Sequence, residues 1–305
     1  MYRFIGGMAS YDLFNTVAIV IAALAGFCYF KSKKNAISLY SKYAIGFALN
    51  KNYYFGKIVE TILVLLEITI MTAIALKATD FNRPLGDILN TSANYFGALF
   101  GVFPLWLAVT LILMTNPLKS IDVATMVMPI CLFFVKIACF LNGCCWGIPW
   151  KHGLYNYHYD HPGYQVPVQA IEAFWALAIF IFLSIYRKKA KPGTIYPLYV
   201  IIYSATRFFS EFLRADSEPV LGIFFTYHIL CVIGVAVGLV LLFVVLKFGD
   251  RINTFFDNKH AKADARISAA VDAHNAITPE ELEKRKKAKE RKKQQKKQFA
   301  KSRKL

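Results

Sequence analysis

Long apolar runs separated by short polar connections fill the chain up to residue 246. Seven of these runs approach the length of about 20 apolar residues that a transmembrane helix needs. No small-residue cleavage site follows the first run, so we interpret it as a retained span and not as a signal peptide. The pattern predicts an all-α polytopic membrane helix bundle with seven transmembrane spans, at 13–30, 58–76, 96–114, 123–141, 169–186, 194–213 and 226–246.

Lysine and arginine are divided unequally between the two sides of such a bundle. The connections 31–57, 115–122 and 187–193, together with residues 247–305, hold 29 of the 36 basic residues, whereas the opposite side holds five. Basic residues concentrate in cytoplasmic connections. The division predicts that the N-terminus lies outside and the C-terminus inside.

The composition agrees with a membrane protein that carries a basic tail. The chain is 56% hydrophobic and 18% charged, below the roughly 25% charged residues of soluble domains, and this excludes an ordinary soluble enzyme. The net charge is +17, and 18 of the 36 basic residues follow residue 246. We therefore predict a transmembrane domain at 1–249, a polar linker at 250–277 and a basic cytoplasmic helix or tail at 278–305. Within the linker, 258–277 also suits a loose helix.

The tail is expected to bind surfaces by charge alone. Thr278, Pro279 and Glu281 form a helix-start signal with a capping box. Basic residues attract anionic lipid at about 1 kcal/mol each, so we expect residues 284–305 to contact an anionic membrane surface. The tail has no aromatic platform for stacking bases, and we expect no specific nucleic acid partner.

Several ionisable side chains lie inside the predicted spans, where each costs about 2.5–3.5 kcal/mol unless it faces a cavity or a partner. Arg207, Glu211 and Arg214 are spaced i, i+4 and i+7 at the end of the sixth span and share one helix face. Two interpretations stay open. Arg207 and Glu211 could neutralise each other, or the cations, with Lys136, could bind the phosphate of an anionic phospholipid.

Three blocks of sequence resemble the prolipoprotein diacylglyceryl transferase family. V-K-I-A-C-F-L-N-G-C-C-W-G at 135–147 is similar to the family's Gly-Arg-x-Gly-Asn-Phe-x-Asn-x-Glu-x-x-Gly. P-V-Q-A-I-E-A at 167–173 is similar to Pro-Ser-Gln-Leu-Tyr-Glu-Ala. R-F-F-S-E-F-L-R-A-D at 207–216 is similar to Arg-Phe-x-x-Glu-Phe-x-Arg-x-x-Asp. The resemblance covers about 11–246 and leaves the tail outside.

The resemblance implies a multi-pass enzyme of the bacterial plasma membrane that acts in lipoprotein biosynthesis. Such an enzyme moves a diacylglyceryl group from phosphatidylglycerol to the thiol of a prolipoprotein lipobox cysteine and leaves glycerol phosphate. We expect no cofactor and no metal. The sequence departs from the family pattern where Lys136 replaces arginine, Cys139 replaces asparagine and Cys144 replaces glutamate.

The resemblance also implies a role for individual residues. Arg207 and Arg214 would clamp the phosphate while Glu211 orients them. The expected catalytic residues are Asn142, Cys144 and Glu172. The expected residues for binding the headgroup are Arg207, Glu211, Arg214, Lys136, Gln169, Tyr11, Gly143 and Gly147.

The cysteines leave other interpretations open. Cys139, Cys144 and Cys145 cluster at the end of the fourth span. They could be structural, form a disulfide, or supply a thiolate activated by Lys136. A metal held with nearby histidines is a further alternative, but no familiar zinc spacing is present. The rival functions are therefore a divergent or non-catalytic lipid-binding membrane protein and a thiol-redox membrane protein.

Overall fold

The computed structural model describes residues 3–4, 8–9, 17, 20, 38–79, 95–156, 161–216, 219–221, 224–276, 283, 284, 287 and 291. A helix is present at each of the last six predicted spans. The first span and Tyr11 lie outside the described residues, except for Val17 and Val20, which are helical. The helices are α1 (Leu39–Lys51), α2 (Tyr53–Thr79), α3 (Tyr95–Ile112), α4 (Pro117–Asn142), α5 (Val168–Tyr186), α6 (Ile195–Glu211) and α7 (Thr226–Asn275).

The four helices α4 to α7 form an up-and-down arrangement around one apolar core. α4 packs against α5, α5 against α6, and α6 against α7. Met126, Leu183 and Tyr199 are among the fully buried side chains between them. Asp122 near the start of α4 accepts hydrogen bonds from the backbone of Gly193 (2.6 Å) and Ile195 (3.1 Å), which holds the α5–α6 connection against α4.

Apolar side chains cover much of the outer surface of this bundle. Phe174 and Phe182 on α5, and Val240 and Phe243 on α7, are exposed. Large exposed apolar side chains next to one another are costly in water, and such a surface suits contact with lipid chains. Among the described residues, α4, α5 and α7 are long and apolar enough to cross a membrane.

Helix α1 lies inside the connection 31–57, for which the sequence pattern predicts no helix. The hydroxyl oxygen of Ser38 caps α1 by accepting a hydrogen bond from the backbone of Ser41 at 3.0 Å. Glu67 of α2 accepts further bonds from the Ser38 backbone (3.1 Å) and the Ser41 hydroxyl (2.5 Å). A carboxylate is favourable at a helix N-terminus, so these contacts compensate Glu67 for its burial and tie α1 to α2.

Helix α7 continues past Gly249, the predicted end of the transmembrane domain, through most of the predicted linker. Its 50 residues correspond to about 75 Å, more than twice the roughly 30 Å of a bilayer core. The second half, after the apolar segment 226–246, packs against α1. The structure therefore has helix where the sequence predicts a linker or a loose helix, while the division into domains stays a prediction.

Ion pairs and a buried stripe hold this extension of α7. Lys42 contacts Asp264 at 2.6 Å, and Lys119 contacts Asp257 at 2.7 Å. The stripe has a heptad-like spacing, which gives the extension an apolar face despite its charges; its buried members are Phe256, His260, Ala263 and Ala270. In the tail, the described residues Glu283, Lys284, Lys287 and Arg291 are helical.

Short hairpins complete the described structure. The connection between the fourth and fifth predicted spans contains β3 (Pro149–Asn156) and β4 (Gly163–Gln165), which pair antiparallel. This hairpin exposes Trp150, Tyr155 and Tyr164. The remaining pairs are β1 (Arg3–Phe4) with β2 (Met8–Ala9), and β5 (Pro219–Leu221) with β6 (Phe224–Phe225).

Candidate functional site

Glu172, near the start of α5, brings together cations from two neighbouring helices. One carboxylate oxygen lies 2.5 Å from Lys136 Nζ of α4, and the other lies 2.6 Å from Arg207 Nη1 of α6. All three residues are largely withdrawn from the surface, with side-chain exposures of 6%, 14% and 8% respectively. The carboxylate that the sequence predicts to be catalytic is therefore buried and paired with two cations.

Two further carboxylates complete the set of charges. Arg207 Nη2 lies 2.6 Å from Glu211 Oε2. Arg214 lies 3.8 Å from Glu172 and 3.9 Å from Glu211, and it makes a two-pronged pair with Asp216 that includes an Nε–Oδ1 distance of 2.8 Å. The cluster thus holds three cations and three carboxylates, which we call the charge cluster: Lys136, Arg207, Arg214, Glu172, Glu211 and Asp216.

The charge cluster contains the ion pair of the first interpretation, and phosphate binding by its cations stays a prediction. Arg207 and Glu211 do pair one helical turn apart, and Glu211 also lies beside Arg214, as a residue that orients both arginines would. The sequence alone does not reveal Glu172 as the partner shared between Lys136 and Arg207, because that pairing depends on how α4, α5 and α6 pack. Burial of the charges is tolerable because each has an opposite charge in contact.

A small pocket that is open to the outside adjoins the charge cluster. One end is polar and includes Lys136, Glu172 and Arg207. The other end is an apolar wall. The ring of Tyr227 covers the Arg207 guanidinium at 5.2 Å. The described lining residues are Leu132, Lys136, Glu172, Trp175, Ala176, Ile179, Tyr203, Thr206, Arg207 and Ser210.

The loop after α4 requires glycine at two positions. Gly143 ends α4 in the left-handed conformation, with φ of 76°. A Cβ atom on Gly147 would lie 2.3 Å from the Val166 carbonyl oxygen and 3.0 Å from that of Leu213. Gly147 also pairs with Arg214 in an isolated antiparallel bridge. Both glycines therefore let the loop approach the segment that carries Arg214.

The other predicted polar residues hold the loop rather than line the pocket. The Gln169 side chain donates a hydrogen bond to the Cys144 carbonyl oxygen at 2.6 Å. Asn142, the last residue of α4, hydrogen-bonds the Cys144 side chain. Neither residue is among those that line the pocket. Of the described headgroup-binding set, Lys136 and Arg207 line the pocket, whereas Glu211 and Arg214 belong to the charge cluster but not to the pocket lining. Gln169 and the two glycines shape the loop.

The three clustered cysteines meet beside the charge cluster. Their sulfur atoms all lie within 4.8 Å of one another. Cys139 is buried and Cys144 and Cys145 are half-buried. Hydrogen bonds from the Cys139 and Cys144 thiols hold the pKa of the Cys145 thiol below its ordinary value, and the charges of Lys136 and Arg214 act in the same direction. Cys145 is thus a thiol next to the cations, whereas the sequence predicts Cys144 at the reaction centre.

Several residues at this site are not singled out by the sequence. Asp216 pairs with Arg214, and Tyr203 and Ser210 line the pocket. Tyr203 and Ser210 precede and follow Arg207 by four and three residues, so helical spacing places them on the same face. That spacing is a usable signal. Trp175 lines the pocket because of the way the helices pack, and no spacing in the sequence indicates this position.

Comparison with known proteins places this site in a family. The model of the family described as prolipoprotein diacylglyceryl transferase matches residues 8–244. Three similar proteins are named phosphatidylglycerol–prolipoprotein diacylglyceryl transferase. The one from Clostridium tetani is 30% identical over 40% of this chain and 51% of its own length. The one from Chlorobaculum tepidum is 31% identical over 49% and 54%. The one from Sinorhizobium medicae is 35% identical over 44% and 50%.

The chain spans about half the length of these curated relatives. The family model covers the whole region from the first predicted span to the apolar part of α7, including all six members of the charge cluster and the three cysteines beside it. The chain belongs to the prolipoprotein diacylglyceryl transferase family.

Proposed function

We propose that the protein transfers a diacylglyceryl group from phosphatidylglycerol to the lipobox cysteine thiol of a prolipoprotein. The observation that carries this proposal is the polar end of the pocket, where Lys136 and Arg207 lie beside an apolar wall. A phospholipid has the same division between an anionic headgroup and apolar chains. Family membership supplies the chemistry that this pocket would serve.

The headgroup phosphate belongs at the cationic end. The Arg207 guanidinium has five N–H donors and Lys136 has three. Their pairs with Glu172 and Glu211 fix the direction of these donors. Donors held in place before the reaction stabilise the charge that develops as the phosphate oxygen leaves. Arg214, in the neighbouring loop, would add its positive charge to the charges of Lys136 and Arg207.

The acyl chains belong along the apolar wall. Leu132, Ala176 and Ile179 form this wall, and Trp175 stands at it with 41% of its surface exposed. Exposed apolar side chains of α5 continue from the wall to the outer surface of the bundle. A lipid could therefore enter sideways from the bilayer, with its chains remaining among apolar groups.

The acceptor thiol must lose a proton as its sulfur attacks the glycerol carbon. Among the described residues that line the pocket, Glu172 is the carboxylate, and we assign it to receiving or relaying this proton. Asn142 and Gln169 act indirectly by holding the cysteine loop. Cys144 stays a predicted catalytic residue, and Cys145 joins it as a candidate because of its place beside the cations.

The proposal includes a multi-pass position in the plasma membrane with seven spans and an external N-terminus. The charge cluster lies where α4 and α6 end and α5 begins. The opposite end of the bundle has Lys119 and Lys191, each paired with the extension of α7. The basic side of the bundle is therefore opposite the charge cluster, which supports a headgroup site in the outer leaflet. The tail 284–305 would contact anionic lipid inside.

The test is transfer of labelled diacylglyceryl from phosphatidylglycerol to a lipobox peptide by the full chain in detergent. Glu172→Gln removes the shared anion, and we expect it to abolish transfer. Asp257→Asn is the matched control, because Asp257 also pairs with a lysine, at 2.7 Å, at the other end of the bundle. Folded protein is matched by gel filtration. Absence of transfer by the unmodified folded protein, or full transfer by Glu172→Gln, would contradict the proposal.

A further inference from the structure

Three cysteine thiols converge at one point where α4 ends and the next loop begins. Cys139 lies near the C-terminal end of α4, and Cys144 and Cys145 follow the left-handed turn at Gly143. Cys145 itself has a positive φ of 57°, a conformation that costs a residue with a side chain roughly 1–2 kcal/mol. The turn folds the two later thiols back towards the first.

The spacing of the sulfur atoms suits a single soft metal ion. All three lie within 4.8 Å of one another. A zinc ion binds sulfur at about 2.3 Å, so three thiolates around it are separated by roughly 3.8–4.0 Å. A small movement of the side chains would complete this arrangement, because the observed limit of 4.8 Å exceeds these separations by only about 1 Å.

The surroundings favour the charge that such a site would carry. A divalent ion with three thiolates has a net charge of about −1 by simple addition, and Lys136 and Arg214 interact electrostatically with Cys145. The charge cluster itself is balanced, with three cations and three carboxylates. A negatively charged metal site would therefore lie beside cations and not beside an excess of carboxylates.

We propose that Cys139, Cys144 and Cys145 bind one thiophilic divalent metal ion, for which Zn²⁺ is the probe. No fourth histidine, cysteine or carboxylate joins this group among the described residues. Three protein ligands with one open position are the pattern of zinc sites that accept water or a substrate group. The site is new relative to the sequence-based expectation of no metal, which relies on the absence of a familiar zinc spacing.

The first experiment uses the full chain in detergent, fully reduced and stripped of metal. Titration with Co²⁺ should produce thiolate-to-cobalt charge-transfer absorption that saturates at one ion per chain and is reversed by Zn²⁺. Cys139→Ser, Cys144→Ser and Cys145→Ser should each weaken binding by more than the roughly 10–100-fold lost with an outer-shell partner. Cys131→Ser and Cys231→Ser are the matched controls, because both lie outside the trio, in α4 and α7, and neither forms a disulfide among the described residues. Controls should bind as the unmodified protein does.

A second measurement avoids the variants altogether. In the unmodified protein, Zn²⁺ should slow alkylation of the three clustered thiols and leave that of Cys131 and Cys231 unchanged, as read by mass spectrometry. The proposal is overturned if the reduced protein shows no charge-transfer absorption, if a trio variant binds Co²⁺ as the controls do, or if Zn²⁺ gives no selective protection. A Cys139–Cys144 disulfide in protein purified without reductant, together with any of these results, would identify a redox pair instead.

Discussion

Arg207 is the residue that joins the two carboxylates on which the charge cluster depends. Its Nη1 contacts Glu172 and its Nη2 contacts Glu211, both at 2.6 Å. Only a planar fork can reach two carboxylates in fixed directions at once, whereas a lysine is a single point charge. Substitutions of Arg207 can therefore show whether the site needs only a positive charge or also the planar geometry of the guanidinium.

We expect Arg207→Lys to insert and fold but to lose transfer roughly tenfold to a hundredfold, which corresponds to about one charged hydrogen bond. Arg207→Ala should lose more. The measurement is transfer of labelled diacylglyceryl to a lipobox peptide, with folded protein matched by gel filtration. If Arg207 served only to neutralise Glu211, the double variant Arg207→Leu with Glu211→Leu would restore transfer, and that rescue would end the phosphate-clamp interpretation.

The sequence predicts which residues form the site better than it predicts their partners. Charge within an apolar run is enough to mark Lys136, Glu172 and Arg207. Ion pairs between helices depend on how the helices pack, and residue spacing along one helix gives no information about that packing. For that reason the spacing predicts the pair between Arg207 and Glu211 but not the pair between Lys136 and Glu172.

Among the elements, the loop after α4 controls the position of Arg214. Gly147 lies between the backbones of Val166 and Leu213, and a Cβ there would meet both carbonyl oxygens at 3.0 Å or less. These backbone atoms on both sides of Gly147 cannot move aside as the end of a flexible side chain can. The loop and the Arg214 segment must therefore separate if Gly147 gains a side chain.

We expect Gly147→Ala to lower transfer strongly by moving Arg214. Gly249→Ala is the matched control, since a Cβ on Gly249 would make ordinary contacts of 3.4 Å or more in the interior of α7. Alanine is also favoured over glycine by roughly 0.5–1 kcal/mol inside a helix. Transfer is compared at equal amounts of folded protein. Equal activity of Gly147→Ala and the control would show that the close approach is not needed.

The extension of α7 contains a buried histidine that makes its stability depend on pH. His260 is fully buried, and its Nε2 lies 2.9 Å from the Met114 carbonyl oxygen. Its Nδ1 has no hydrogen-bond partner among the described residues. Burial lowers the pKa of His260, an effect that the bond to Met114 only partly offsets. The folded protein therefore favours the neutral imidazole of His260.

We expect the extension to loosen as pH falls below about 6.5, the ordinary pKa of histidine. In this range the unfolded chain binds a proton that the folded chain does not, so the free energy of unfolding decreases as pH drops. Hydrogen exchange of the amides in 250–275, compared between about pH 7.5 and about pH 5, on either side of that pKa, measures it. His260→Leu should remove most of the difference. An equal difference in that variant would assign the effect to the neighbouring carboxylates Asp257 and Asp264.

At the scale of the whole molecule, hydropathy predicts the six helices α2 to α7 up to residue 246 but neither α1 nor the α7 extension. The α7 extension is rich in charge, and α1 is too short to span a membrane and carries two lysines in 13 residues. Their apolar faces form through tertiary contacts, as Ile45 and Leu49 of α1 pack with Ala270 of the extension and with apolar residues of α2. The spacing of Phe256, Ala263 and Ala270 is a helical signal that a search for membrane-length apolar runs does not detect. Length and hydropathy thus describe the bilayer part of the chain, while the part beyond it depends on tertiary contacts.

The direction of the whole bundle in the membrane can be tested at its two ends. The charge cluster and the β3–β4 hairpin lie at one end, and the paired Lys119 and the α7 extension lie at the other. Basic residues favour the cytoplasm, so residues 157–160, between the strands, should be outside and residue 276 inside. A reporter active only in the cytoplasm is placed at each point. Both reporters are inserted into the full-length chain, the second directly after residue 276, so that the tail and the part of α7 that packs on α1 are kept.

The expected result is a silent reporter at 157–160 and an active one after residue 276, with both fusions present at equal amounts in the membrane. A companion variant changes the basic connection after α5 to glutamine at all four of its charged positions, Arg187, Lys188, Lys189 and Lys191. The tail and the connection at 31–57 should still hold the orientation in that variant, because most of the basic residues on this side remain. Activity at 157–160 in the unmodified chain would place the charge cluster on the cytoplasmic side and remove the outer-leaflet headgroup from the proposed reaction.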